Sequence, residues 1–524
     1  VRYRVYRKDA VNTKWKALTS SATGTSYVDD TAKAGVKYSY TVRGIAADGK
    51  TLSHSFNKTG VSATIPVPAN VKLVSAKAVS DGIQVTWKEA AGAAEYRVYR
   101  KGPNDKRWVG LNNVAATSYV DDTAKAGVKY SYTVRGIAAD GKTLSPSFNE
   151  TGISAVTAPA NVKLGTAVAG KNGITVKWQA ADGAVRYRVY RKDAANTGWK
   201  NIATVNDTIY TDKTAVAGVK YSYTVRGIAS DGKTLSLGYD ETGVSAVAAP
   251  ANVTLGTAVA GKNGITVTWK EAAGAAEYRV YRKGPNDKRW VGLTDVTGKN
   301  WTDTDVTNGV KYTYTVRGIA SDGKTLSPGF DETGISAVAA PANVELVGAT
   351  AVSGGIQVTW QAADGAVRYR VYRKDAVNTK WKALTSSATG TGYTDKTAVA
   401  GVEYTYTVRG IASDGKTLSL GFNKTGVSAT IPAPANVKLV GATAVDGGIT
   451  VTWQAADGAA EYRVYRKDAA NPKWKSLVNV SGKSWTDTDV TKGVQYTYTV
   501  RGIAADGKTL SPSYDKTGVS AVAK

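Results

Sequence analysis

Cysteine and methionine are absent from the 524-residue sequence, and it has a single histidine, His54. Without cysteine the chain can form neither a disulfide nor a thiolate metal site. With one histidine, a Ser-His-Asp arrangement could arise in at most one place, and no nucleophile elbow accompanies it. No apolar run approaches the roughly 18 residues that a membrane-spanning helix needs. Because the chain starts at Val1 rather than at methionine, we expect it to be an internal piece of a longer protein.

The charge is strongly unbalanced towards basic residues. Lysine and arginine number 68 against 42 acidic residues, which gives a formal net charge of +26. Such a charge attracts anionic partners such as acidic glycans, cell-wall polymers or nucleic acid. It is also typical of a soluble, self-repelling surface with no particular partner. Charge alone leaves both interpretations open.

An internal repeat of about 91 residues organises the whole chain. The string YRVYRK opens at Tyr3, Tyr96, Tyr187, Tyr278, Tyr369 and Tyr462, and P-A-N-V recurs between the copies. This period exceeds that of solenoid repeats and matches one small independent domain. We therefore predict six domains, numbered here as repeats 1 to 6, which span residues 1–67, 68–158, 159–249, 250–340, 341–433 and 434–524.

Each repeat has the pattern of a β-sandwich. In repeat 3, residues 174–178, 187–191 and 221–225 alternate with period two and are rich in Val, Thr, Tyr and Trp. Asp231-Gly232 and its equivalents are tight-turn signals. No window shows a helical period. Seven short strands in about 91 residues, separated by turns, predict an all-β sandwich.

These motifs resemble a fibronectin type III domain. I-T-V-K-W, which ends at Trp178, resembles strand B, Y-R-V-Y-R resembles strand C, and A-G-V-K-Y-S-Y-T-V-R-G resembles strand F, with Tyr221 in the place of the corner tyrosine. The resemblance implies a tandem array of seven-stranded, immunoglobulin-like β-sandwiches. Repeat 1 would be incomplete, without strands A and B. Isoleucine follows Arg226-Gly227 where the integrin-binding tripeptide has Asp, so integrin binding is not implied.

The sequence offers no convincing catalytic or cofactor site, and we expect neither enzymatic activity nor a cofactor. Carboxylate pairs such as Asp121-Asp122 and Asp303 with Asp305 lie in turn-rich connections, where Asx turns are expected and weak calcium binding is the alternative. Residues 44–51 match the letters of a phosphate-binding loop. The real motif opens a helix, and here a turn is expected instead.

One outward-facing surface is a candidate contact site. If Tyr187 and Val189 face the core, then Arg188 and Tyr190 face outward, and Arg226 lies on the neighbouring strand. The structural alternative is an exposed ladder in which arginine stacks on tyrosine. The functional alternative is a repeated weak contact with an anionic glycan, strengthened by multivalency. The candidates are Arg97, Tyr99, Arg135, Arg188, Tyr190, Arg226, Arg279, Tyr281 and Arg317.

The resemblance implies repeats of a large surface protein, of the kind found in Gram-positive bacteria, and an extracellular location at the cell surface. We expect a non-catalytic stalk, a semi-rigid rod that presents a distal head and contacts neighbouring domains of the same longer chain. An adhesin array that binds anionic glycan or cell-wall polymer through its Arg/Tyr faces is the first alternative. Accessory repeats of a secreted carbohydrate-active enzyme are the second. No specific nucleic acid partner is expected.

Overall fold

The computed structural model describes every residue from Val1 to Lys524 and consists of forty strands with no helix. The all-β class predicted from the sequence is confirmed. The chain divides into two compact segments, Val1–Ala249 and Pro250–Lys524, each of which contains three repeats.

The first segment contains strands β1 to β19. In repeat 1 they are β1 Arg2–Lys8, β2 Lys16–Ala17, β3 Ala22–Thr23, β4 Lys37–Ile45 and β5 Val61–Thr64. In repeat 2 they are β6 Leu73–Val79, β7 Gly82–Trp87, β8 Glu95–Lys101, β9 Val109–Val114, β10 Ser118–Asp121, β11 Lys129–Ile137 and β12 Ile153–Val156. In repeat 3 they are β13 Leu164–Gly170, β14 Gly173–Trp178, β15 Arg186–Lys192, β16 Lys200–Val205, β17 Ile209–Asp212, β18 Lys220–Ile228 and β19 Val244–Val247.

The second segment contains strands β20 to β40. In repeat 4 they are β20 Leu255–Gly261, β21 Gly264–Trp269, β22 Glu277–Lys283, β23 Val291–Val296, β24 Asn300–Asp303, β25 Lys311–Ile319 and β26 Ile335–Val338. In repeat 5 they are β27 Leu346–Val352, β28 Gly355–Trp360, β29 Arg368–Asp375, β30 Lys382–Ala388, β31 Gly392–Asp395, β32 Glu403–Ile411 and β33 Val427–Thr430. In repeat 6 they are β34 Leu439–Val445, β35 Gly448–Trp453, β36 Glu461–Asp468, β37 Lys475–Val480, β38 Ser484–Asp487, β39 Gln495–Ile503 and β40 Val519–Val522.

Repeats 2 to 6 share one arrangement of seven strands in two antiparallel sheets, as predicted. In repeat 3 the smaller sheet has the order β13-β14-β17, and the larger has the order β16-β15-β18-β19. Alternate side chains of each strand point into the space between the sheets. The outer faces of the sheets are therefore where exposed functional side chains can lie.

The core of each complete repeat is built from aromatic and β-branched side chains at alternating positions. In repeat 3, Ile174 and Val176 of β14 and Val189 of β15 are fully buried. Trp178 meets Tyr187 at a ring-centroid distance of 5.6 Å, with the two rings inclined at 63°. Edge-on aromatic pairs of this kind add to the stability gained from burial alone. The predicted inward direction of Tyr187 and Val189 is confirmed.

A glycine closes the hairpin between the first two strands of each complete repeat. In repeat 3 this residue is Gly173, whose φ of 115° is a conformation that favours glycine. A Cβ atom there would collide with the backbone carbonyl of Asp212 in β17. The turn therefore brings the main chain of β14 directly against β17, at the end of the sheet where Asp212 lies.

Repeat 1 consists of a single five-stranded sheet, because β1 to β5 all belong to one sheet and no second sheet covers it. Residues 26–29, which correspond to β17, form no strand. The consequence is visible at Val42, which is 48% exposed, whereas its equivalent Val225 is fully buried.

We predict that residues 1–67 do not fold alone, whereas residues 68–158 do. Burial of a large core side chain is worth several kcal/mol, which is a large part of the roughly 5–15 kcal/mol stability of an ordinary domain. Chemical denaturation of the two fragments, followed by tryptophan fluorescence and circular dichroism, measures the difference. A cooperative transition with a similar midpoint in both fragments would contradict this account of the core.

Candidate functional site

The most deeply buried charged group in each complete repeat is one aspartate that joins the two sheets. In repeat 3 it is Asp212, the last residue of β17, and it is fully buried. Arg191 of β15 donates from Nη1 to Asp212 Oδ2 at 2.7 Å. Tyr223 of β18 donates its hydroxyl to the same oxygen at 2.9 Å. Because β17 lies in one sheet and β15 and β18 lie in the other, this ion pair connects them.

The local chain satisfies the second carboxylate oxygen. Thr214 donates to Asp212 Oδ1 from its backbone N–H at 3.0 Å and from its hydroxyl at 2.7 Å.

Arg191 also stacks over the ring of Tyr221, with its Cζ atom 4.6 Å from the ring centroid. The hydroxyl of Tyr221 in turn accepts a hydrogen bond from the backbone of Val216 at 3.3 Å. This last bond is the one expected of a corner tyrosine.

The protonation states of this cluster are those of a stable ion pair. Burial alone would raise the pKa of Asp212, but the hydrogen bonds from Arg191, Thr214 and Tyr223 outweigh it and hold the pKa below its ordinary value. Burial and the neighbouring Asp212 carboxylate raise the pKa of Tyr223 well above its ordinary value. Asp212 is therefore ionised and Tyr223 neutral throughout the physiological range. A carboxylate that serves as a general acid would instead have a raised pKa.

The carboxylate pairs noted in the sequence do not form a joint site. In repeat 4 the side chain of Asp303 is 2% exposed and that of Asp305 is 95% exposed, so the two lie in different environments. The Asx turn expected there is present, because Asp303 Oδ1 accepts the backbone N–H of Asp305 at 3.1 Å.

The buried ion pair of Asp303 and its equivalents was not predicted from the sequence. The available signal was that the first aspartate occurs in all six repeats, whereas the second does not.

The loop that matches a phosphate-binding motif on letters is a turn. Asp48 accepts the backbone N–H groups of Lys50 and Thr51 at 3.0 Å and 2.9 Å. These donors are the groups that a phosphate would have to use, and no helix follows them. The loop has no geometry for cradling a phosphate.

The outward-facing surface predicted from the sequence is present on the larger sheet. Arg188 of β15 lies directly opposite Arg226 of β18, and Tyr190 lies opposite Thr224. Residues opposite each other in an antiparallel pair share one face. The same register places the other candidates on equivalent faces, with Arg97, Tyr99 and Arg135 in repeat 2 and Arg279, Tyr281 and Arg317 in repeat 4.

Arg226, on β18, has a structural role in this surface. Arg226 donates from Nε to the carbonyl oxygen of Ser236 at 2.9 Å, and Nη2 donates to the same oxygen. Its Cζ atom lies 5.8 Å from the ring centroid of Tyr239. The ladder predicted from the sequence, with arginine stacked on a tyrosine of the neighbouring strand, would place Arg226 on Tyr190. Arg226 instead stacks on Tyr239, in the segment that returns after β18.

A half-buried tryptophan, Trp199, packs across the end of the same sheet. Lys192 Nζ lies 4.2 Å from the ring centroid of Trp199, and the ring packs against Gly243. In repeats 4 and 5 the equivalent tryptophans, Trp290 and Trp381, also meet a phenylalanine edge-on. These rings are therefore occupied by packing within their own repeat.

Comparison with known proteins identifies the domain type. Residues 344–420, which belong to repeat 5, match the family model described as fibronectin type III domain SaeA third domain. The same strand order recurs in every complete repeat. The chain is a tandem array of fibronectin type III-like domains. Domains of this type are generally non-catalytic and typically extracellular.

Curated relatives of this fibronectin type III-like array come from several kinds of protein. The chain is 26% identical to receptor-type tyrosine-protein phosphatase eta of Gallus gallus, over 82% of this chain and 30% of that protein. It is 26% identical to exoglucanase B of Cellulomonas fimi, over 49% of this chain and 24% of that protein. It is 38% identical to a poly(3-hydroxybutyrate) depolymerase of Delftia acidovorans, over 15% of this chain and 14% of that protein. The chain thus spans less than a third of each of these relatives.

Among solved structures, the chain is similar to the chicken CNTN1 FN1–FN3 domains, with 15% identity and a TM-score of 0.22, over 52% of this chain and 98% of that one. It is also similar to a segment of two fibronectin type III domains from chicken tenascin, with 18% identity and a TM-score of 0.23, over 33% of this chain and 98% of that one. No helix long and apolar enough to cross a membrane occurs in the structure.

We predict that Asp212→Asn destabilises repeat 3 by about 3 kcal/mol, because it leaves Arg191 without its counter-charge in a site shielded from water. The matched control is Asp193→Asn. Asp193 is a turn residue whose carboxylate lies at the surface and accepts the backbone N–H of Asn196 at 2.9 Å. An exposed change of this kind should alter stability by about 0.5 kcal/mol or less. Urea unfolding of residues 159–249 measures both, and equal effects would show that the buried ion pair does not stabilise the fold.

Proposed function

We propose that the chain is a non-catalytic spacer within a longer extracellular surface protein of bacterial type. The observation that supports this most directly is the construction of the joints between consecutive repeats. Within each compact segment, the joints consist of direct main-chain contacts and specific hydrogen bonds rather than of flexible linkers. A spacer needs joints of this kind, because a chain of freely rotating domains would not hold a distal domain at a fixed distance.

The joint between repeats 2 and 3 depends on two glycines. Gly127 and Gly183 approach so closely that a Cβ atom on either would collide with backbone atoms at the other. Ser230, in the turn after β18, donates its hydroxyl to the carbonyl oxygen of Gly127 at 3.1 Å. Repeats 4 and 5 repeat this joint, with Gly309 against Gly365 and Ser413 donating to Gly309 at 3.3 Å.

The joints between repeats 1 and 2 and between repeats 5 and 6 have a second form. Their linkers are one residue longer and contain a second proline, as in T-I-P-V-P over residues 64–68. Here the aspartate of the later repeat accepts a backbone N–H of the earlier one. Asp140 accepts from Ala34 at 2.8 Å, and Asp506 accepts from Ala400 at 3.1 Å.

The length of the linker and the residue that precedes the turn aspartate vary together in these four joints. Alanine precedes the aspartate of the turn after each longer linker, at Ala139 and Ala505, whereas serine stands there after each shorter linker, at Ser230 and Ser413. In the longer form, Ala504 of repeat 6 is also buried within the core cluster of repeat 5. Each joint is therefore a matched set of linker and turn. This matching favours defined orientations between neighbours over flexible tethering.

A spacer in a secreted enzyme is the second candidate. The observation that favours it is the similarity to exoglucanase B and to the amylopullulanase of Thermoanaerobacterium saccharolyticum, which is 30% identical over 16% of this chain. The same joints would serve either protein. The flanking gene sequence separates the two candidates, because a wall-anchoring motif supports a surface protein and a catalytic domain supports an enzyme.

We predict that Gly127→Ala disturbs the joint between repeats 2 and 3, whereas Gly141→Ala does not. Both glycines have positive φ, 72° and 67°, so alanine strains the local backbone similarly at both positions. Only Gly127 approaches repeat 3, and no atom lies near a Cβ placed on Gly141. Because the chain lacks cysteine, dyes on Lys106→Cys and Ala195→Cys in the full chain report the distance between the repeats by single-molecule energy transfer.

The expected result is one narrow distance distribution in the parent chain and in Gly141→Ala, and a shifted or broadened distribution in Gly127→Ala. A broad distribution already present in the parent chain would overturn the proposed spacer role.

A further inference from the structure

The outer face of the larger sheet differs between odd and even repeats. The residue before the first tyrosine of YRVYRK is arginine in repeats 1, 3 and 5 and glutamate in repeats 2, 4 and 6. By strand alternation this residue lies on the same face as the paired arginines. In repeat 3 the face therefore presents Arg186, Arg188 and Arg226, and none of the three forms an ion pair. In repeat 2 the corresponding residues are Glu95, Arg97 and Arg135.

The middle arginine has an internal partner only in the even repeats. Arg97 donates from Nε to Asn113 at 2.9 Å, and Arg463 donates to Asn479 at 2.8 Å. In repeat 3 the residue opposite Arg188 on β16 is Thr204. In all three odd repeats Nε of this arginine is buried without a hydrogen-bond partner, at Arg4, Arg188 and Arg370. Such a covered, unpartnered donor costs free energy, and a ligand carboxylate would satisfy it once the guanidinium turns towards the surface.

Repeat 4 indicates what group fits this position. Arg279 holds Asp295 through two parallel hydrogen bonds, Nε to Oδ1 and Nη2 to Oδ2, both 2.7 Å long. This paired geometry is the one in which a guanidinium recognises a planar carboxylate. The chain thus supplies its own carboxylate in repeat 4. The equivalent position in repeat 3 has none.

We propose that the outer faces of repeats 1, 3 and 5 bind the carboxylates of a linear acidic polysaccharide. A uronic acid carboxylate takes the position beside Arg188 that Asp295 takes beside Arg279. Arg186 adds positive charge, and Tyr190, which is half-buried on the same face, offers an apolar ring surface to the sugar. Three such faces on one chain bind a polymer more tightly than one face does. This proposal does not depend on the spacer role.

The test compares two variants of the full chain with the same loss of charge. The odd variant combines Arg4→Gln, Arg188→Gln and Arg370→Gln. The even variant combines Arg97→Gln, Arg279→Gln and Arg463→Gln, and so removes arginines that already have internal partners. Binding of polygalacturonate is measured by isothermal titration calorimetry. We expect the odd variant to bind about tenfold more weakly or worse, and the even variant to stay within about twofold of the parent.

Equal losses in the two variants would mean that net charge alone binds the polymer and would overturn the proposal, as would unchanged binding in the odd variant. Should the odd variant fail to fold, Thr204→Asp gives a second test, because it places the carboxylate of repeat 4 beside Arg188. We expect Thr204→Asp to weaken binding about threefold and Thr204→Ser to leave it unchanged. No difference between them would also overturn the proposal.

A third binding experiment distinguishes a polysaccharide ligand from a nucleic acid ligand. Single-stranded poly(dT) of matched charge should bind more weakly than polygalacturonate, and its binding should fall equally in the odd and even variants. Binding of poly(dT) that is as tight as that of polygalacturonate, and as sensitive to the odd substitutions, would overturn the assignment to a polysaccharide.

Discussion

The ion pair between the two sheets is the interaction on which each complete repeat depends. The chain has no disulfide, and each domain is small, so burial alone leaves a modest margin of stability. Asp212 occupies the end of β17, where Gly173 lets the backbone of β14 approach it. Arg191 and Tyr223 reach it from the opposite sheet. The pair fixes how the sheets face each other, and that in turn fixes which side chains lie on the outer face.

Around this constant interior, the repeats vary in matched sets of residues. Linker length varies together with the residue before the turn aspartate, and the charge of the outer face varies together with the partner of the middle arginine. Repeats 3 and 4 share the same core positions, yet Arg188 lacks the internal partner that Arg279 has in Asp295. Variation of this kind changes how a repeat meets its neighbours and its surroundings while its fold stays the same.

Much of the fold could be predicted from the sequence, because strand alternation is a local pattern. The inward direction of Tyr187 and the pairing of Trp178 with it follow from that pattern and from the resemblance to fibronectin type III domains. The ion pair was missed because Arg191 and Asp212 lie 21 positions apart and sequence spacing does not reveal their contact. The partner of Arg226 was missed because it is a main-chain carbonyl, and side-chain patterns carry no information about such acceptors.

The buried aspartate is structural, and it stays ionised throughout the physiological pH range. Carbon-13 NMR of the Asp212 carboxyl group in residues 159–249, titrated with acid, tests it directly. We predict a pKa below the ordinary aspartate value, no response to added calcium, and stability that is fully present above about pH 4 and lost as the pH falls through the lowered pKa. A raised pKa, or a carboxyl resonance that shifts on addition of calcium, would contradict the account.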